Sequence, residues 1–234
     1  MNDFSVFPVA AGLHGNQAIA DLVDAVHDLT VWHRVRTARI GLLGEPSDWL
    51  VASTPDREGV HRRWGVTVLD VDLPGALHRY ESVADAPIAV PVRLRARRTV
   101  TESGATEVTA AARFEPVLRE VVSEHRLDAV AVRCFDLVTG PGTSGCLALS
   151  SLNDSGVIAG CEGDIASTLG LFWMRELTGR LGWMANPAVA DPRSGVIELA
   201  HCTVPLSLVS GYELHTHFES GLGVGISGDL PPGR

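Results

Sequence analysis

Apolar residues recur at helical spacing over the first stretch of the chain. Ala18, Ile19, Leu22, Val23, Val26 and Leu29 fall three or four apart, which predicts a helix from Leu13 to about Trp32 with Asn16 as its cap. The period then changes. Arg39-Ile40-Gly41-Leu42-Leu43-Gly44 is a short apolar run stopped by glycine, as in a strand buried on both faces. Val66 to Val71 is a second such run, and a helical stretch from Asp56 to Trp64 lies between them. Strand, helix, strand at this spacing is a βαβ unit, which implies a parallel sheet with right-handed crossovers. Residues 82–103 show no period and read as weakly structured, with Arg93, Arg95, Arg97 and Arg98 as a solvated strand face. Helical spacing returns from Glu107 to Arg126, with Val108, Ala111, Ala112, Val117, Leu118 and Val121 inward. Ala129 to Phe135 is a third strand.

Thr139-Gly140-Pro141-Gly142 breaks the pattern and marks a boundary. The predicted fold class is therefore α/β, with a Rossmann-like parallel-sheet domain over residues 1–137 and a second α/β domain over 143–234. In the second part, Ser144 to Asn153 reads as a helix, Gly156 to Gly160 as a strand, Ile165 to Leu177 as a helix closed by Thr178-Gly179, and Val196 to Ala200 as a strand. The chain opens directly into a helix and closes on Leu230-Pro231-Pro232-Gly233-Arg234, so both ends are expected to continue in a longer protein; the alternative is that they are natural and short.

Composition narrows the function. The 234 residues are 45% apolar and suffice for a buried core. The net charge of -9 argues against nucleic acid as the main partner, because phosphate binding needs a basic surface. No apolar run reaches membrane-helix length, and Met1-Asn2-Asp3-Phe4 does not open a signal peptide. Cys134, Cys146, Cys161 and Cys202 form no CxxC pair, which argues against a zinc ribbon and fits a reducing cytoplasm.

Candidate chemistry collects at the ends of apolar runs. Ile158-Ala159-Gly160 leads straight into Cys161-Glu162-Gly163-Asp164, where a helix begins. In open α/β sheets ligands bind beyond the carboxyl ends of the strands. Glu162 and Asp164 are suited there to holding a cation or moving protons. They read equally as a helix N-cap, Asp164, beside a solvated loop acid, Glu162. Asn186 sits before Pro187 in a turn signal and has a carbonyl oxygen to offer a ligand. His201 ends the run Val196 to Ala200; alone it would be a hydrogen-bonded core residue. Glu162, Asn186 and His201 at three successive strand ends of one sheet predict a shared cavity. His215, His217 and Glu219 alternate and would share one strand face, with a plain polar surface as the simpler reading. The Gly221-Leu222-Gly223-Val224-Gly225 run lacks dinucleotide-fingerprint spacing.

Taken in order, Gly160-Cys161-Glu162-Gly163-Asp164, the helix end Leu177-Thr178-Gly179, Met184-Ala185-Asn186 and Ala200-His201-Cys202 resemble the L-fucose/L-arabinose isomerase family, as does Gly44-Glu45-Pro46-Ser47-Asp48-Trp49-Leu50-Val51-Ala52-Ser53 upstream. The resemblance spreads over most of the chain. It implies a metal-dependent aldose–ketose isomerase of carbohydrate metabolism that works by proton transfer through a cis-enediol. Glu162 and Asp164 are then the expected catalytic residues, Glu162 and His201 the ligands of a weakly held Mn²⁺, and Asn186 and His217 the substrate contacts. The family's second carboxylate would fall at Ala185 or Asn186, where this sequence has no acid. A final ligating histidine would lie in a C-terminal part not present here. The resemblance further implies a homo-oligomer and a preceding Rossmann-like domain. The alternative is a sugar- or metal-binding relative or fragment that has lost catalysis.

Overall fold

A computed structural model describes residues 15–84, 86–100 and 104–232. The predicted helix start at Leu13 and the capping side chain of Asn16 lie outside the described residues. The first helix, α1 (Gly15–Thr37), leads into β1 (Arg39–Leu43), α2 (Arg57–Trp64) and β2 (Thr67–Val71). Asp56 caps α2 by accepting from the Gly59 N–H at 2.7 Å. Then follow α3 (Leu73–Ser82), α4 (Ala89–Arg95), β3 (Arg98–Val100), α5 (Ala105–Ala112), α6 (Phe114–His125), β4 (Ala129–Val132) and α7 (Phe135–Thr139). The chain continues through α8 (Cys146–Ser155), β5 (Ile158–Gly160), α9 (Ile165–Thr178), β6 (Asn186–Asp191), β7 (Val196–Ala200), β8 (Tyr212–Thr216) and β9 (Val224–Gly228).

Among the described residues, a four-stranded sheet runs in the order β2-β1-β4-β5, with every pair parallel. The chain builds outward from β1 to β2, then crosses back to β4 and on to β5. The order therefore reverses between β1 and β4, and that is where an open parallel sheet leaves a crevice at its carboxyl edge. The strands alternate their side chains between two cores. Ile40, Ala129 and Ile158 pack with Val31, Val35, Leu169 and Phe172 on one side. Leu43, Val130, Val132 and Ala159 pack with Phe114, Leu118, Leu149 and Leu152 on the other. The result is three layers, with helices covering both faces. Because β4 pairs with β5, the sheet runs across the Gly140–Gly142 breaker.

Several elements differ from the reading of the sequence. Residues 82–103 carry α4 and β3, so Arg93 and Arg95 stand in the last turn of a helix rather than on a strand. Leu73, Ala76 and Tyr80 bury one face of α3, whose start is marked by Pro74. The expected helix 107–126 breaks at Arg113 into α5 and α6. The expected third strand stops at Val132, and Phe135 opens α7. On α1 the stripe Ile19, Leu22, Val23, Val26 and Leu29 is more than half exposed, because only the last turns, through Val31 and Val35, reach the sheet. Asn186 to Ala200 is an antiparallel hairpin of its own, separate from the main sheet. A third sheet pairs β3 with β8 in parallel and β8 with β9 antiparallel.

Phe172 on α9 is 1% exposed and lies at the centre of one core. Phe172→Ala should cost about 3–5 kcal/mol, the range for emptying a fully packed aromatic site. Urea unfolding measures it; a loss under about 1 kcal/mol would mean that α9 does not close this face.

Candidate functional site

The crevice edge is built by a tight turn after β5. Glu162 and Gly163 both take left-handed backbone conformations, with φ of 62° and 67°. A Cβ on Gly163 would stand 2.5 Å from the Glu45 carbonyl oxygen, so only glycine fits this approach. Glu162 has a side chain and holds φ > 0, a strain of roughly 1–3 kcal/mol that its surroundings must offset. The peptide group joining the two residues is held at both ends. Its carbonyl accepts from the Ser47 N–H at 2.9 Å and its N–H donates to the Val132 carbonyl at 2.8 Å. Asp164 follows as the N-cap of α9. Its Oδ1 accepts from the Ser167 N–H at 2.8 Å and its Oδ2 from the Ser167 hydroxyl at 2.7 Å, so both oxygens serve the cap.

The turn aims the Glu162 side chain into the crevice. The Trp49 indole N–H, from the loop after β1, donates to Glu162 Oε2 at 2.5 Å. The other oxygen, Oε1, lies 3.4 Å from His201 Nε2. His201 Nδ1 meets Thr203 Oγ1 at 2.9 Å, which fixes the ring. The His201 bond holds the Glu162 carboxyl below its ordinary range; burial opposes this and the Trp49 N–H adds to it. Burial alone would push His201 down. The Cys202 sulfur and the Glu162 carboxylate outweigh it and raise the imidazole to about 10. Near neutral pH the site therefore holds a carboxylate against an imidazolium, both largely out of solvent.

A cavity of about 360 Å³ opens beside this pair, lined by Trp49, Phe135, Glu162, Asn186 and Glu219. Asn186 reaches it by an unexpected route. It begins β6 rather than ending a strand, and it pairs with Ala200, the residue before His201. The hairpin thus returns its two feet to one place. The strand β8 ends at Thr216, so His215, His217 and Glu219 do not share a face. His215 lines a second cavity of about 430 Å³ together with His201 and Cys202. His217 is buried, edge-on to Phe135 and stacked on Phe218. Glu219 lines the first cavity. Phe135 escapes sequence reasoning altogether, and Trp49 and Glu219, though both lie in segments that the sequence singles out, are not placed beside Glu162 by it, because they meet that residue only through the fold. The one available signal for Trp49 is its place in the loop that leaves β1 at the carboxyl edge.

Behind His201 lies a cluster of buried thiols. Cys134 and Cys161 have their sulfurs 2.6 Å apart, and Cys146 and Cys202 theirs 3.0 Å apart. The thiols of Cys146 and Cys161 donate towards Cys202 and pull it well below the ordinary thiol range, with His201 and His217 adding to the effect against burial.

By sequence, the chain is similar to sugar isomerases. No family model matches it. It is 28% identical over 173 residues to a sulfoquinovose isomerase of Alkalicoccus urumqiensis, a match covering 72% of this chain and 39% of that protein. It is 23% identical over 184 residues to the sulfoquinovose isomerase of Priestia aryabhattai, covering 77% and 41%. A third, from a Clostridium species, is 24% identical over 177 residues, covering 74% and 39%. The chain thus spans about two fifths of the length of these curated relatives.

Two outcomes follow from this geometry. Gly163→Ala should destabilise the protein by about 2 kcal/mol or more, since it adds left-handed strain to a backbone clash. A melting temperature unchanged in calorimetry would contradict the turn. The second concerns pH. A histidine raised to about 10 contributes stability that is complete below its unfolded value of about 6.5 and is lost as pH rises through 10. Glu162, being lowered, contributes above the ordinary carboxylate value and loses its share only in acid. The unfolding free-energy gap between wild type and His201→Gln should therefore narrow steadily from pH 6.5 to 10. A gap constant over that range would refute the ion pair.

Proposed function

We propose that this chain carries the proton-transfer site of a sugar aldose–ketose isomerase, with Glu162 as the base. The observation that carries the reading is Glu162 itself, ionised at neutral pH, fixed by Trp49 and set against His201 at the sheet's switch point. Similarity to the sulfoquinovose isomerases supports the substrate class. In this reading the Glu162 carboxylate takes the proton from C2 of the open-chain aldose and returns it to C1. A proton moves from one oxygen to the other across the cis-enediol, and no atoms are lost. His201, protonated, steadies negative charge on the adjacent oxygen. Asp164, with both oxygens bound to Ser167, acts as the helix cap and stays out of the chemistry. Asn186 and Glu219, on the cavity wall, contact the sugar hydroxyls. His217, buried against Phe135, supports the wall.

The finer reading is the L-fucose/L-arabinose isomerase arrangement, with a Rossmann-like domain ahead of the site domain and a homo-oligomeric whole protein. A carboxylate oxygen and an imidazole nitrogen 3.4 Å apart are a donor pair that suits Mn²⁺. Glu162 and His201 would hold the ion only after His201 gives up its Nε2 proton, so the ion and the imidazolium are alternative states of one pair, and Asn186 in place of an acid leaves the ion one charged ligand short. Bound there, Mn²⁺ would polarise the sugar's carbonyl oxygen. The neutral Asn186 favours a second reading, in which the chain binds sugar or metal without turnover.

The test is proton exchange at C2 of a panel of aldoses in D₂O, followed by NMR with Mn²⁺ present. Glu162→Gln should lower the exchange rate by roughly 100-fold or more, the scale of general base catalysis. Undiminished exchange in that variant would remove Glu162 from the mechanism. Separately, Asn186→Asp should tighten Mn²⁺ binding in calorimetry. Unchanged or weaker binding would place the ion elsewhere.

A further inference from the structure

Three buried donors outside the Glu162 cavity meet at one point. Cys146 opens α8, Cys202 follows β7, and His217 follows β8, so three separate elements deliver them. The two sulfurs and a ring nitrogen of His217 all lie within 4.8 Å of one another. The sulfurs are 3.0 Å apart, and the three residues are exposed by 2%, 5% and 3%. We propose that Cys146, Cys202 and His217 hold a divalent cation of the zinc type, through two thiolates and one imidazole nitrogen, at a site that shares no ligand with the Glu162–His201 pair but adjoins it, with Cys202 Sγ 3.9 Å from His201 Nδ1.

The geometry fits such an ion. Donors bound tetrahedrally at about 2.0–2.3 Å stand about 3.3–3.8 Å from each other, so side-chain adjustments of under about 1 Å close the set. Two sulfurs and one nitrogen are a soft set, which selects zinc over manganese and magnesium. The Ser220 hydroxyl lies 3.0 Å from His217 Nδ1 and gives its own proton to the Leu222 carbonyl, so its oxygen can accept an Nδ1–H. The Ser220 backbone N–H also points at Nδ1, at 3.3 Å, so binding of the ion through Nε2 requires the ring proton to move to Nδ1 and that N–H to give way. The framework around the donors is also held. Ser144, two residues before Cys146, exchanges hydrogen bonds with the Val224 backbone at 2.7 and 2.8 Å, which ties the start of α8 to β9. Cys202 forms part of the wall of the 430 Å³ cavity, so an ion has an entry path and the fourth coordination position can be reached by solvent or a small molecule.

The test uses the full chain, reduced and kept without oxygen, with Co²⁺ as the probe. About one equivalent should bind, with a near-ultraviolet thiolate-to-cobalt band and tetrahedral ligand-field bands, and Zn²⁺ should displace it. Cys146→Ser and Cys202→Ser should each lose the thiolate band, and His217→Ala should weaken binding by at least tenfold. Cys134→Ser and Glu162→Gln should keep the band, the latter while losing isomerisation, so failure here and failure of the isomerase reading are told apart. Where a cysteine variant does not fold, alkylation of the wild-type chain decides: Zn²⁺ should slow modification of Cys146 and Cys202, read by peptide mass spectrometry. No thiolate band, a band that survives Cys202→Ser, or alkylation rates indifferent to Zn²⁺ would overturn the proposal.

Discussion

One peptide group ties the carboxyl edge of the sheet together. The bond between Glu162 and Gly163 accepts from the loop after β1 and donates to the end of β4, while it terminates β5. Three neighbouring strands thus share a single rigid plane at their ends. Both of its hydrogen bonds are met, and the group is buried, so it cannot rotate without leaving two polar atoms unpaired. That fixes the left-handed conformation of Glu162, which in turn fixes where its carboxylate points. Trp49 can donate to it only because Ser47, two residues earlier, is held by the same peptide.

The electrostatics follow from this placement. A carboxylate brought out of water would be driven towards its neutral form, but the indole and imidazole donors reverse the balance. His201 then sits between the Glu162 carboxylate, 3.4 Å from its Nε2, and the Cys202 sulfur, 3.9 Å from its Nδ1. Hydroxyl contact with Thr203 keeps the ring from turning away. These groups therefore form a row from Trp49 through Glu162 and His201 to Cys202, joined by consecutive polar contacts.

The sheet was legible wherever structure is local. The apolar runs around Ile40, Val68 and Val130 are strands, because continuous apolar strands need two covered faces and only a parallel sheet supplies them. The break at Arg113 had a cue in Pro116, which cannot sit in the interior of one long helix and stands instead in the first turn of α6; the alanines and valines around it suit one helix as well as two. The exposed stripe of α1 shows the converse, a pattern that promises burial which the described part of the fold does not provide. Glu162 and His201 stand out in the sequence as polar residues at the ends of apolar runs, and the structure sets them 3.4 Å apart. Asp164 shows how the same cue serves two purposes, for an acid at a strand end is also an acid at a helix start. That Trp49 and Glu219 meet Glu162, and that the four thiols gather, was out of reach, because the partners lie far apart in the chain.

The hairpin of β6 and β7 works as a ribbon standing on two feet. Its ladder pairs Asn186 with Ala200 at the base and Asp191 with Val196 near the tip. The tip turn is exposed and closed by its own contacts, with the Asp191 carboxylate accepting from the Arg193 N–H and the Ser194 hydroxyl. The spacing of the feet is therefore set by the lowest rungs and is indifferent to the length of the ribbon above them. Residues 192–195 are thus a point where the chain can carry added sequence, such as an epitope or a fluorescent label, while Asn186 and His201 keep their footing.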